Sequence, residues 1–238
     1  MLVLILAESA MEQVPRPLWG HPAVARHAER LGKMPGQLLL DRSYHHAAMV
    51  GLKDAERRGR PDIVHLSLLE AMGSPLNREG MLRVYVHTVN DRVLRFDPKI
   101  RLPRNYDRFK GLMEQLYEMG RVPPQGPALA ELEKKSLEVL LDEVKPEYVL
   151  ALSRIGRPRS LEEVMLALSA WREPAVLVGG FPRGHFGEET LRVVDELASI
   201  DPESLDAWIV TSRVVYEYER AINLPEIRFK EYYEAKSE

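Results

Sequence analysis

The stretch from Pro174 to Phe186 constrains the fold most. A short apolar run, Ala175 to Val178, reads as a buried strand, and Gly179, Gly180, Pro182 and Gly184 then force a sharp, irregular turn. Glycines let a backbone approach a ligand closely, so such a loop at a strand's carboxyl end makes a ligand rim. The spacing does not match the dinucleotide fingerprint, and no Lys-Ser or Lys-Thr follows to complete a phosphate loop. Taken alone, the loop reads first as a tight strand-to-helix turn and only second as a ligand rim.

The same rhythm recurs along the chain, with short apolar runs alternating with helical segments, which predicts an α/β sheet. Leu2 to Leu6 reads as a central strand, Leu38 to Leu40 as a second short one, and Ile63 to Leu66 as another apolar segment. Pro15, Pro17 and Pro22 forbid one long early helix, leaving a short one around Val24 to Leu31. Ser43 can cap a helix running to about Arg58, where Gly59 stops it. Val84 to His87 and Val93 to Phe96 flank the turn pair Asn90-Asp91, which predicts a β-hairpin inserted at about residues 80–100 of a single domain spanning 1–238.

Pro103 or Asn105 can open a helix that carries Phe109, Leu112, Met113 and Leu116 inward. A Pro- and Gly-rich connector, Val122 to Pro127, leads to an amphipathic helix over Leu129 to Val144. The final third reads as strand Tyr148 to Leu152, helix Ser160 to Trp171, strand Ala175 to Val178, helix Glu188 to Leu197 and helix Leu205 to Ile222. Loops at Leu152 to Pro158, Gly179 to Gly184 and Ile200 to Leu205 can then meet at one edge, as a small-molecule pocket requires.

Composition narrows the chemistry. With no cysteine, the chain has no disulfide, thiolate metal site or Cys nucleophile, which suits a reducing, cytoplasmic setting. The apolar run Met1 to Ala7 lacks a basic leader and is too short to span a membrane. Residues 51–110 hold 13 Lys or Arg against 8 Asp or Glu, a balance of +5, whereas the remainder holds 20 against 28, a balance of −8. Such asymmetry fits a polyanion-binding surface on an acidic body, or a solvated mixed-charge face. His45 and His46 are adjacent and point different ways on a helix, so they read as packing or surface residues and not as metal ligands.

Several runs, taken in order, carry a resemblance. They are Arg60-Pro61-Asp62-Ile63 with His65 and Leu68-Leu69; Ser74-Pro75-Leu76-Asn77; Arg101-Leu102-Pro103-Arg104 with Arg108-Phe109 and Gly111-Leu112-Met113; and Val178-Gly179-Gly180-Phe181 with Gly184. Together they resemble the ribosome-biogenesis pseudouridine methyltransferases of archaea and eukaryotes, of the SPOUT class, over most of the chain. Departures lie in the amino-terminal Pro-rich passage, the Pro123-Pro124 connector and the tail after Asn223.

The resemblance implies a trefoil-knotted, mostly parallel α/β domain, S-adenosyl-L-methionine held in the knot, a homodimer, and methylation of pseudouridine N1 in small-subunit rRNA. It assigns the donor to Leu152, Gly179, Gly184 and the stretch Ile200, Asp201, Pro202, Glu203, Ser204, Leu205. Arg60 would contact the target nucleotide, with Asp62 fixing its guanidinium; a carboxylate so held is a poor general base. On spacing alone Arg101, Arg104 and Arg108 form a solvated charged face, on one side of a helix that begins early; the resemblance turns them into RNA contacts. No metal is required. A binding protein that engages RNA through the same arginines without chemistry is the alternative reading.

Overall fold

The computed structural model describes residues 1–236. Its centre is β1 (Leu2–Ser9), whose side chains alternate between two apolar layers. Leu2, Leu4 and Leu6 face one layer and Val3, Ile5 and Ala7 the other, all fully buried. A strand covered on both faces reads as an unbroken apolar run, and this one pairs in parallel on both sides.

After β1 come α1 (Pro22–Leu31), α2 (Arg42–His45), α3 (Pro61–Gly73) and α4 (Pro75–Arg78). Strands β2 (Leu82–Thr88) and β3 (Arg92–Phe96) form the hairpin about Asn90-Asp91, and β2 is also the parallel neighbour of β1. Next are α5 (Tyr106–Met119), β4 (Arg121–Val122), β5 (Ala130–Lys134), α6 (Leu137–Val144) and β6 (Tyr148–Pro158). The chain continues through α7 (Leu161–Ser169), β7 (Pro174–Gly179), α8 (Glu188–Arg192), β8 (Glu196–Ser199), α9 (Ala207–Ala221) and α10 (Leu224–Glu234).

The eight strands among the described residues form one sheet in the order β4-β5-β3-β2-β1-β7-β6-β8, parallel from β2 to β8 and antiparallel from β2 to β4. Val64, Leu68, Phe109, Met113, Val164 and Val214 bring α3, α5, α7 and α9 into one layer, and Leu137, Leu140 and Leu141 bring α6 into the other. A smaller cluster around Val14, Val24, Leu38 and Met49 holds the Pro-rich early segment together.

Several segments depart from the sequence expectations. Leu38 to Leu40 is buried but makes only one isolated bridge, Gln13 to Leu39. The helix expected from Ser43 to Arg58 gives way after His45 to short 3-10 turns, and left-handed backbone at Gly51 and Asp54 keeps it from resuming; its cap is Asp41, which accepts from the Ser43 amide at 2.9 Å. Ile63 to Leu66 lies inside α3, opened by Pro61 at the first helical position. A short apolar run cannot distinguish a buried strand from a buried helix.

Leu129 to Val144 divides into β5, paired with β3, and α6, capped by Ser136. Glu188 to Leu197 likewise divides into α8 and β8, the break pinned where Asp195 exchanges hydrogen bonds with Val149. The expected loop at Leu152 to Pro158 is a continuation of β6, which rejoins β8 after a bulge in which Leu152 and Arg157 both face Ala198.

Candidate functional site

The carboxyl ends of β6, β7 and β8 open into a cleft. Leu152, Gly179, Gly184, Ile200, Asp201, Glu203, Ser204 and Leu205 line it, while Pro202, between two of them, stands outside the lining. Ser153, Arg154, Phe181, His185, Phe186 and Val210 also line it, and sequence reading did not assign them to the cleft. Their signal was weak, since each lies within two residues of an assigned one or one turn into a helix. Short local bonds set the loop after β8: Ser199 Oγ donates to the Asp201 carbonyl and the Glu203 amide donates to Asp201 Oδ1, both at 2.9 Å.

The loop after β7 turns on two glycines. Gly184 has φ 89°, a region that side-chain-bearing residues rarely adopt. A Cβ on Gly180 would overlap the Ser9 side chain at the end of β1. That close approach allows a pair of backbone bonds, Gly180 N to Ala7 O at 2.9 Å and Ala10 N to Gly180 O at 2.8 Å.

Arg60 is joined to the same loop through one residue, Ala10. Its amide donates to the Ala10 carbonyl at 2.9 Å, so Ala10 is bonded to Gly180 by its N–H and to Arg60 by its C=O. The Arg60 side chain forks onto Asp62: Nε donates to Oδ1 at 2.8 Å and Nη2 to Oδ2 at 2.7 Å. This hydrogen bonding, with the nearby charges of Asp62, Tyr106 and Asp206, raises the guanidinium pKa above its ordinary value. Asp206 is the cap residue of α9, immediately after Leu205 of the cleft. Both partners remain about one-third exposed, so the fork is rigid yet open to a ligand.

Arg101, Arg104 and Arg108 are all exposed, but not on one helical face. Asn105 caps α5, accepting from the Arg108 amide at 3.0 Å, so Arg101 and Arg104 precede the helix and only Arg108 belongs to it. The segment is anchored from beneath: His65 Nε2 bonds the Pro103 carbonyl at 2.7 Å, and its ring stacks on Phe109 at 4.3 Å. Among the described residues none of the three arginines forms an ion pair.

Behind this segment lies a buried polar cluster. Tyr106 Oη and Lys110 Nζ donate to Asp41 Oδ2 at 2.9 and 3.2 Å. Burial pushes the Asp41 carboxyl up, but the Ser43 amide, Tyr106 hydroxyl and Lys110 ammonium outweigh it and hold the carboxyl below its usual range. His45 is fully buried; its Nδ1 accepts from the Asp41 amide at 3.1 Å, so Nε2 carries the proton and donates to His27 Nδ1 at 2.9 Å. His46 is exposed, and among the described residues no group of three His, Cys, Asp or Glu could hold a metal.

Burial, and secondarily His27, pushes the His45 imidazole down to about 4. Burial also lowers His27, reinforced by Arg30 and Lys110 and opposed by Glu114 and Asp41. The unfolded chain therefore binds more protons than the folded one once pH drops below about 6.5. The stabilisation is complete above that value and is lost progressively as pH falls toward 4. Urea denaturation is expected to give a stability at pH 5 lower by about 2 kcal/mol than at pH 7 from His45. His45→Gln is expected to flatten that slope; an unchanged slope would exclude His45 as its source.

A mostly parallel sheet, helices on both faces, a glycine-rimmed cleft at the strand ends and an exposed arginine margin define an α/β fold with a pocket at its strand ends and a basic edge. A family model described as EMG1/NEP1 methyltransferase matches residues 4–219. The ribosomal RNA small subunit methyltransferase Nep1 of Thermococcus kodakarensis is 47% identical over 228 residues, covering 94% of this chain and 100% of the relative. The protein of the same name from Pyrobaculum neutrophilum is 46% identical over 224 residues, with coverages of 94% and 100%.

The crystal structure of Archaeoglobus fulgidus Nep1 bound to S-adenosylhomocysteine has a TM-score of 0.83 to this chain at 39% identity, covering 93% of this chain and 98% of that one. The chain belongs to the EMG1/NEP1 methyltransferase family. Among the described residues no helix is long and apolar enough to cross a membrane.

Proposed function

We propose that the protein transfers a methyl group from S-adenosyl-L-methionine to N1 of pseudouridine in small-subunit rRNA, as a cytoplasmic homodimer of trefoil-knotted single-domain protomers. The observation that carries this reading is the bridge through Ala10, whose N–H bonds Gly180 of the glycine loop and whose C=O bonds the Arg60 amide. The relatives' name and the S-adenosylhomocysteine in the A. fulgidus neighbour support the donor and the RNA class. Exposed apolar side chains on neighbouring helices, Leu66 of α3 with Ile209 and Tyr216 of α9, support a second copy as partner.

The cleft suits such a donor. Leu152, Val178, Ile200, Leu205 and Val210 offer apolar walls for a purine, and Ser153, Asp201, Glu203 and Ser204 offer polar groups for hydroxyl and amino functions. Gly179 and Gly184 bring the main chain to the cavity wall. When bound, the sulfonium supplies an electrophilic methyl whose bond to sulfur breaks as the bond to nitrogen forms.

The protein's own work is positioning and charge. Pseudouridine has a free N1–H, which uridine lacks because its N1 carries the glycosidic bond. As that proton passes to solvent, negative charge spreads onto the ring carbonyls, and the Arg60 guanidinium lies where it can stabilise it. Asp62 orients Arg60, while Arg101, Arg104 and Arg108 meet phosphates and bases along the exposed margin. Reaching N1 in structured RNA requires the nucleotide to swing out of its stack.

Calorimetry with S-adenosylhomocysteine tests the reading against a non-catalytic RNA-binding assembly factor. Saturable heat at one ligand per protomer is expected; absence of binding would favour the assembly factor.

A further inference from the structure

Two residues of the early chain hold the glycine loop from outside. Glu8, near the end of β1, has left-handed backbone with φ 51°, unfavourable for a residue bearing a side chain. Its carboxylate spans two partners: Oε1 accepts from the Gly187 amide at 2.8 Å, and Oε2 accepts from Arg57 Nη2 at 2.6 Å. Arg57 also donates through Nη1 to the His185 carbonyl at 2.6 Å, and its guanidinium lies 4.1 Å from the centre of the Phe181 ring. A Cβ on Gly184 would sit 3.5 Å from Arg57 Nη1, so the guanidinium backs the left-handed turn directly.

The pair is mostly shielded, with side chains 23% and 16% exposed for Arg57 and Glu8, which strengthens charge-assisted bonds. Phe181, Gly184 and His185, the loop residues that Arg57 approaches, all line the cleft. At the other end of the same short segment is Arg60. Between them Arg58 forks onto buried Glu12 through Nε and Nη2, both at 2.6 Å. Residues 57–60 are thus pinned in the middle, with one guanidinium on the cleft loop and another at the arginine margin.

We propose that Arg57, braced by Glu8, is a positioning residue that fixes the glycine loop in its donor-binding form and couples donor occupancy to the placement of Arg60. The proposal rests on the reading that the cleft takes the donor and Arg60 faces the acceptor nucleoside. Without Arg57 the loop must be ordered by the ligand, which reduces affinity, and the coupling between donor and acceptor sites is lost with it. Such coupling is reciprocal by linkage.

The test is calorimetry on the full-length protein and on Arg57→Lys and Glu8→Gln, with S-adenosylhomocysteine and with a pseudouridine-containing RNA hairpin. Arg57→Lys keeps the charge opposite Glu8 but cannot reach Glu8 and the His185 carbonyl with one rigid fork. Wild type is expected to bind the hairpin about fivefold or more tightly when S-adenosylhomocysteine is present. Arg57→Lys is expected to bind S-adenosylhomocysteine about tenfold more weakly, to bind the hairpin alone within about twofold of wild type, and to show no coupling.

Glu8→Gln, which keeps an acceptor for the Gly187 amide, is expected to change both quantities in the same direction even if substitution at Arg57 prevents folding. Wild-type affinity and coupling in both variants would overturn the proposal. So would an equal loss of ligand and hairpin affinity together with a lower melting temperature, the signature of a merely structural pair. Failure of the wild type to bind S-adenosylhomocysteine at all would instead overturn the underlying reading of the cleft.

Discussion

Arg60→Ala is expected to lower kcat/KM for a pseudouridine-containing hairpin by about 10²–10³-fold while leaving affinity for S-adenosylhomocysteine within about twofold. The residue is held at both ends, its backbone amide on the Ala10 carbonyl and its guanidinium on Asp62, so its position costs little further ordering when the acceptor arrives. On the proposed reading, removing it takes away a fixed positive charge that faces the ring carbonyls as they become more negative during transfer. Steady-state kinetics should show the loss mainly in kcat, because the charge matters more after the proton departs than before.

Arg104→Ala gives a different signature. Its guanidinium is exposed and outside the ion pairs, so its removal should weaken hairpin binding by about 1–3 kcal/mol and reduce the salt slope by roughly one contact. Equal effects of the two substitutions on kcat would contradict the division of roles.

Gly156→Ala is expected to destabilise the fold by about 3 kcal/mol or more in chemical denaturation. A Cβ there would sit 2.5 Å from the Ala198 carbonyl carbon, 2.7 Å from the Ala198 nitrogen and 2.7 Å from the Leu197 carbonyl carbon. All three atoms are backbone in β8, so no side chain can turn aside. Relief requires separating β6 from β8 at the bulge, between the strand ends that line the cleft. Gly111→Ala is the opposite control: it lies in α5 with nothing within 4 Å of an added Cβ, and alanine should stabilise the helix by about 0.5–1 kcal/mol. Similar stability changes at both positions would refute the steric account.

The central sheet could be read because β1, β6 and β7 are buried on both faces and therefore appear as apolar runs too short for free-standing helices. The misread segments are those in which strand and helix patterns coincide over a few residues. Ala130 and Leu132 alternate as a strand should, but the following Leu137, Leu140 and Leu141 extend a plausible helical stripe across the Lys134 to Ser136 break. Asp195 seats the start of β8 through its partnership with Val149, 46 residues away, which local sequence does not contain.

The cleft residues were recognisable because the glycines mark the end of β7 and the stretch from Ile200 follows β8, and because the ordered motifs resemble one family. Arg57 and Glu8 left no such trace: they are 49 residues apart in sequence, and Arg57 meets the His185 carbonyl across 128. Likewise the arginine row was legible as charge but not as shape, since Asn105 delays the helix until Tyr106.

The most direct measurement is transfer of labelled methyl from S-adenosylmethionine to two otherwise identical small-subunit rRNA hairpins, one carrying pseudouridine and the other uridine at the target. Label should enter only the pseudouridine hairpin, on ring nitrogen N1. Equal incorporation into both, or incorporation elsewhere on the nucleotide, would contradict the assigned acceptor.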